Sequence, residues 1–350
     1  MMPPLFPLSR LKWSTLVPAI LVLALIVLPL WSHAVGDRYY IALVARMIIY
    51  AIAATALHLA LGLAGLVSLG HGLFLGLGVY CVALPATFGI DNGWVHLGWT
   101  LVVCATVALI TGAISLRTSG LGFLMITLAF AQMGYYLLIS LKQFGGDDGI
   151  GVQRASSFWG YDLATAQALY PVALALLLLL SWWAHRLRTA PLGMVLRAAE
   201  VNPRRVRALG FHVSRYQLLI YVISGALCGV AGLLLANLTQ YASPSSMSLQ
   251  VSGDLLVMLV IGGVGYTFGP LIGTIAFLAT EELLKGWSDH WMVVMGPAIL
   301  MVALLGRGGV CGWLERLDRR RTRASSQDSV QPQAAPAAQA PTSLGSKEGF

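Results

Sequence analysis

The sequence predicts an all-α polytopic membrane protein, with about eight transmembrane helices plus a glycine-rich broken or re-entrant hairpin and both termini cytoplasmic. Three observations carry this. Of 350 residues, 57% are hydrophobic and only 10% charged, against roughly 25% charged in a soluble domain. Apolar runs long enough to span a hydrocarbon core recur along the chain. The basic residues are also lopsided: Arg10, Lys12, Arg117, seven Arg from Arg186 to Arg215, six from Arg307 to Arg323, and Lys347 fall on one side of the resulting map, 17 of 22 in all. Loops facing the cytoplasm collect Lys and Arg, so the net charge of +8 reports orientation and gives no reason to expect nucleic acid as a partner.

The elements follow in order. Arg10 and Lys12 precede an apolar run, Thr15 to Trp31, longer than the core of a cleaved signal peptide, which favours a retained first span. Tyr39 to Ala60 is the second span, with Arg46 inside it. Leu61 to Tyr80, continuing to Phe88, is the third, so rich in glycine that it reads either as a tightly packed helix or as a broken one lining a cavity. Val95 to Leu116 and Leu121 to Leu141 are joined by a tight turn holding Arg117. A polar loop, Lys142 to Thr165, carries Gly145-Gly146-Asp147-Asp148-Gly149 and the aromatics Phe158, Trp159 and Tyr161. Ala166 to Trp183, Tyr216 to Ala236 and Trp291 to Leu305 are further spans. Asp254 to Leu284 is two short apolar halves around Gly262-Gly263 and Gly269-Pro270; with an inside N-terminus and an inside tail it must cross an even number of times, as a re-entrant loop or a hairpin. The expected organisation is a cytoplasmic N-terminus (1–14), a membrane domain (15–306) with a cytoplasmic segment at 184–215, and a basic, then disordered, cytoplasmic tail (307–350).

The polar island within that segment, Pro191 to Tyr216, sets Arg197, Arg204, Arg205, Arg207 and Arg215 against the single acid Glu200. Pro191 suits a first helical turn, Asn202-Pro203 caps and opens a second helix, and Gly210 suits a left-handed C-terminal stop. Glu200 is placed to accept from Arg204 at i+4, or from a partner's backbone, and so to hold the turn rigid. Held rigidly, such a pair can pass a mechanical push to a soluble partner and dock by its basic face in an acidic groove; the competing reading is an Arg-rich loop required by topology alone.

Catalytic chemistry finds no support. The four cysteines, Cys81, Cys104, Cys228 and Cys311, form no spaced pair, and no catalytic set, metal-ligand spacing or phosphate-cradling loop is present. No cofactor is expected, and any ATP must be bound by a partner. Ion coupling would need an ionisable group at mid-membrane; Arg46, Asp254, Glu281 and Glu282 are the candidates, the acids at the ends of the broken hairpin and Arg46 equally able to neutralise a solute carboxylate, meet a carbonyl or snorkel outward. The two glycine-rich interruptions lie in the two halves of the chain. Paired interruptions mark translocation sites, which makes Gly65, Ser68, Gly70, His71, Asp254, Gly262, Gly263, Gly265 and Gly269 the candidate path; close helix packing is the alternative.

Four motifs carry a family resemblance, in order, over about residues 40 to 305. LGLAGLVSLGHGLFLGLGVY, GGDDGIGV, GMVLRAAEVNPRRVRALGFHVSRYQLLIYVISGALCGVAGLL and LLVMLVIGGVGYTFGPLIGTIAFL resemble the branched-chain amino acid permeases of ABC importers, the LivH/LivM family, and the long outer loop with the basic island is similar to the LivM branch. The resemblance implies a permease subunit in the inner membrane, a LivH-like second permease, two LivG/LivF-like ATPases and a periplasmic solute-binding protein. It implies that the island, with Glu200 and Gly210 at EAA-like positions, couples to the ATPase. His71-Gly72 and Tyr266-Thr267-Phe268 depart from the family's pattern and bear on solute identity, for which urea and short amides are the alternative.

Overall fold

The computed structural model describes residues 13–35, 38–152, 154–287, 290–305, 308–313 and 315–316. Arg10, Lys12, Arg307 and the tail from residue 317 lie outside the described residues, and with them the expectations placed there.

The helices, in chain order, are α1 (Trp13–Val35), α2 (Arg38–Ala64), α3 (His71–Thr87), α4 (Gly93–Ser115), α5 (Leu121–Ser140), α6 (Ala166–Thr189), α7 (Pro191–Val201), α8 (Pro203–Ala208), α9 (Val213–Thr239), α10 (Leu249–Gly262), α11 (Gly269–Lys285) and α12 (Trp291–Leu305). Among the described residues, α2, α4, α5, α6 and α9 are long and apolar enough to cross a bilayer; α3, α10 and parts of α1 and α12 are apolar but shorter. Polar residues start several helices where the chain leaves a loop: Asn92 accepts from Trp94 N (3.0 Å), Thr165 from Ala168 N (3.3 Å) and Ser248 from Val251 N (3.4 Å), satisfying first-turn donors that apolar surroundings would leave unpaired.

The core is organised on α2 and α9. Ala45, Ala51, Ala53, Ala54, Ala56 and Ala60 of α2 are fully buried, and so small a surface lets α6, α9 and α11 close around it. The α3–α9 seam is tighter still. A Cβ on Gly78 would strike the Gly229 backbone, and one on Gly232 the Leu75 carbonyl, so the two main chains touch with no side chain between them. By contrast α4 and α5 bury only narrow stripes and present Trp99, Val102, Ile110, Met125, Met133 and Leu137 outward.

Two ends of the bundle can be told apart by their loops. At one end β1 (Ile150–Gly151) pairs antiparallel with β4 (Tyr241–Ala242), and β2 (Ser157–Phe158) with β3 (Tyr161–Asp162) across Trp159 (φ 50°) and Gly160 (φ 85°), the two positive φ of a type I′ turn. Ser157 N donates to Asp91 O (2.7 Å) and Ser156 N to Asn237 Oδ1 (2.7 Å), stitching the 142–165 loop to its neighbours. The expected all-helical chain thus carries two small β pairs, because a polar loop away from the bilayer can satisfy its backbone by strand pairing. At the other end lie the 116–120 turn, α7, α8 and the chain between α10 and α11.

The structure decides between the alternatives left open at two places. The glycine-rich stretch from Leu61 is not the start of one long span. α2 continues to Ala64, residues 65–70 are non-helical, and α3 begins only at His71. The cause is local: Gly65 sits at φ +65°, which ends α2 after its amide has bonded Leu61 O (3.0 Å). Of the two forms open to the second broken segment, the hairpin is observed: α10 and α11 pack along each other about a turn at Gly263–Phe268.

Candidate functional site

The first interruption is held from three sides by small polar side chains. Gly70 N donates to Ser68 Oγ (3.1 Å), Leu69 N to Thr127 Oγ1 of α5 (3.3 Å) and Gly72 N to Ser252 Oγ of α10 (3.0 Å). His71, with no exposure at all, places Nε2 2.7 Å from Ser224 Oγ of α9. Ser224 has one hydroxyl hydrogen and gives it to Ala56 O of α2 (2.5 Å), so His71 Nε2 carries the proton and donates. Cys228 Sγ meets His71 O (3.3 Å), and Phe74 and Tyr221 stand edge-on to the imidazole at 5.7 and 6.0 Å. The start of α3 is thereby tied to α2, α5, α9 and α10 at once.

The second interruption lies against the first helix. A Cβ on Gly62 would come within 3.0 Å of Val264 O, so the last turn of α2 and the α10–α11 turn touch. Gly262, Gly269 and Gly273 bring α10 and α11 into backbone contact, and Gly263 (φ +106°) turns the chain beside Gly308. Gly265 O accepts from Arg188 Nη1 at the end of α6 (2.5 Å), and the Tyr266 hydroxyl bonds Glu315. Eight of the nine path residues proposed from the sequence are therefore gathered at these two breaks. Asp254 is not. It lies near the other end of α10, within electrostatic reach of Arg46 and Glu281; there Arg46 stacks over Tyr50 (5.6 Å to the ring centre) and the Tyr39 hydroxyl bonds Glu282. Because α10 and α11 run antiparallel, its first turns and the last turns of α11 meet at that end.

The island forms the two helices its punctuation requires. Asn202 closes α7 by donating to Ala198 O (3.0 Å) and opens α8 by accepting from Arg205 N (3.2 Å). Gly210 is left-handed at φ +87°; its amide bonds Arg207 O (2.9 Å) while Phe211 N reaches back to Val206 O (3.3 Å), the paired bonds of a Schellman stop. Ala199, Val206 and Val213 form a small apolar cluster with Val195 that welds α7, α8 and α9 together, and Leu196 enters the main core. Arg204, Arg205 and Arg207 are exposed. Arg197 instead folds inward, donating to Arg188 O (2.8 Å) and Gly193 O (3.4 Å), where it satisfies the end of α6. The expected Glu200–Arg204 bond is not formed, because Asn202 breaks the helix between them and the i+4 relation is lost. Glu200 lies over the first interruption: a Cβ on Gly65 would meet Glu200 Cγ at 3.0 Å.

Sequence reasoning missed Ser224, Ser252, Thr127 and Arg188, which do the holding. The signal available was lone hydroxyls at buried positions of apolar spans, the usual hydrogen-bonding glue between membrane helices. Among the described residues no group of three or more His, Cys, Asp or Glu is placed to hold a metal ion.

A polytopic helical membrane protein with two glycine-rich interruptions in contact, the first of them under a basic helix pair, is the class this arrangement defines. Within that class, residues 39–305 match the family described as branched-chain amino acid transport system, permease component, and the chain belongs to that family. It is similar to the LivM permease protein of the high-affinity branched-chain amino acid transport system of Salmonella typhimurium strain LT2 and to that of Escherichia coli strain K12, each 28% identical over 86% of this chain and 76% of the relative. It is also similar to the LivH permease protein of Escherichia coli strain K12, 25% identical over 73% of this chain and 88% of that protein. Members of this family are transport components and not enzymes. No solved structure matches the chain.

Proposed function

We propose that this chain is one of two permease subunits of an ABC importer and forms part of the path by which branched-chain amino acids cross the inner membrane. In this reading α1–α6 and α9–α12 cross the bilayer, eight spans plus the α10–α11 hairpin, with the N-terminus, the island and the tail cytoplasmic. The positive-inside bias of the loops supports that orientation. A periplasmic binding protein delivers the solute to the end carrying the β pairs, a LivH-like permease completes the path, and two separate ATPases bind the ATP.

The single observation that carries the reading is the contact of the island with the first interruption, Glu200 over Gly65. A soluble ATPase pressing on exposed Arg204 and Arg205 moves a helix pair that its Asn202 and Gly210 caps hold rigid. That motion reaches the residues tying α3 in place. Gly65, Ser68, Gly70, His71, Gly262, Gly263, Gly265 and Gly269 are the moving wall of the path. Arg204, Arg205 and Gly210 are the transmitting element, with Glu200 as its contact point and Arg207 turned to a cavity behind it.

The test is ATP-dependent leucine uptake measured beside co-purification of the ATPases. Arg204→Glu with Arg205→Glu is expected to weaken ATPase association by tenfold or more, the scale of about 1.4 kcal/mol, by repelling an acidic surface. Gly210→Val should keep the protein inserted but reduce uptake, since a β-branched residue at that φ costs about 1 kcal/mol or more. Full uptake and full association in both variants would reduce the island to a topological loop.

A further inference from the structure

We infer that the island-side end of the protein contains a binding site for a zwitterionic amino acid with an apolar side chain. The site is a cavity of about 410 Å³ between the first interruption, the α4–α5 turn, α7–α8 and the start of α9. Small-molecule sites run from about 300 to 1,000 Å³, so one amino acid fits. This proposal rests on the importer reading above and adds where, and by which groups, the solute is held as it leaves.

The chemistry of the lining selects the ligand. Glu200 supplies one carboxylate, and Arg117 and Arg207 supply two guanidiniums, all facing the same space. Among the described residues none of the three side chains has a hydrogen-bond or ion-pair partner. A lone acid beside two bases would ordinarily collapse into a salt bridge; here the helix break at Asn202 and the separate α4–α5 turn hold them apart on different elements. A carboxylate recognises an ammonium, and a guanidinium recognises a carboxylate with two parallel bonds. An α-amino acid carries both on one carbon. Leu66 and Phe123 give the same cavity an apolar wall, and Ser119 stands at its exposed lip. Arg117, Glu200 and Arg207 are exposed, so the preference comes from pairing alone: a neutral amide, urea or sugar offers no charge to any of the three, and a zwitterion offers one to each sign.

The site also touches the coupling device. Glu200 both lines the cavity and contacts Gly65, so an occupant drawing Glu200 inward shifts the island against the first interruption.

The experiment uses the assembled importer in nanodiscs without binding protein and without ATP, and measures equilibrium binding of radiolabelled leucine. Absence of ATP separates solute binding from coupling. Wild type should bind leucine, and leucinol, which lacks the carboxylate, and 4-methylpentanoate, which lacks the ammonium, should each compete at least tenfold more weakly. Glu200→Gln and the pair Arg117→Gln with Arg207→Gln should each weaken binding by tenfold or more. Should those variants fail to assemble, Ser119→Cys provides the second measurement, since leucine should slow its modification by a charged thiol reagent and urea should not. Leucine binding equal in wild type and charge variants, equal competition by leucinol, or unprotected Ser119→Cys would overturn the site. Failure of wild type with all its partners to import leucine would instead overturn the importer reading.

Discussion

Ser224 occupies a position where one hydroxyl serves three helices. It donates to α2 and accepts from His71 at the start of α3 while sitting on α9. Ser224→Ala leaves a fully buried imidazole N–H and a backbone carbonyl without their partner, a loss of about 1–3 kcal/mol. A thermal-unfolding scan of the purified complex should show a lowered midpoint, and unchanged thermal stability would remove Ser224 from the account. Gly65 makes a different demand. Its φ of +65° is costly for any residue with a Cβ, and the Cβ would also press on Glu200 Cγ at 3.0 Å. Gly65→Ala is therefore expected to lower uptake of leucine while the subunit still assembles; normal uptake would mean that the α2 terminus is not part of the moving wall. At this scale the sequence was most legible where the backbone dictates residue type. Gly210 read correctly as a left-handed stop, because no other residue enters that conformation so readily. The Arg204 partner expected for Glu200 was misread, because it depended on whether residues 200 and 204 share a helix, and Asn202 ends that helix.

Among the elements, α7 and α8 separate two kinds of arginine that composition alone treats alike. Arg197 is spent on the α6 terminus, whereas Arg204 and Arg205 face solvent. Arg197→Gln should thus cost stability, of order 1 kcal/mol for lost bonds to carbonyls, and leave ATPase co-purification intact; the Arg204/Arg205 double reversal should do the opposite. Co-purification lost equally in both would merge the two groups. The five helices long and apolar enough to cross, α2, α4, α5, α6 and α9, were readable from hydropathy, since every backbone group in a bilayer must be satisfied and only helices manage this. The exact start of α3 was not. Leu61 to Tyr80 is apolar and glycine-rich throughout, and nothing in that pattern marks residue 71 as the point where Ser224, Ser252 and Thr127, far along the chain, take over the hydrogen bonding. Asp254 was grouped with the glycines for its closeness in sequence, but the hairpin carries it to the opposite end, beside Arg46 and Glu281.

For the molecule as a whole, the proposed topology of the hairpin can be tested from outside the cell. Gln250 and Trp287 are exposed and lie near the ends of α10 and α11 remote from the Gly263–Phe268 turn. Gln250→Cys and Trp287→Cys should react with an impermeant maleimide in intact cells, and Phe268→Cys only after permeabilisation. Ser252, two residues along, is buried against Gly72 and is a poor reporter. Labelling of Gln250→Cys and Trp287→Cys from opposite sides would dismantle the proposed topology. Its four native cysteines are all buried, so each introduced thiol reports its own position.

The α3–α9 seam has one more consequence, for anyone reading a mutational scan of this protein. Main chain lies on main chain there, at Gly78 against Gly229 and at Gly232 against Leu75. Alanine is the mildest change most positions can receive, yet at this seam it prises two helices apart, and overpacking of a close interior costs about 1–3 kcal/mol. A complete substitution library should therefore show a line of intolerant glycines running up one side of α3 and the facing side of α9, as sharply depleted as any binding residue and chemically inert. Intolerance along that line maps where the scaffold is stiffest. The permissive positions beside it, such as the exposed surfaces of α4 and α5, map where a neighbouring subunit or lipid has room to differ.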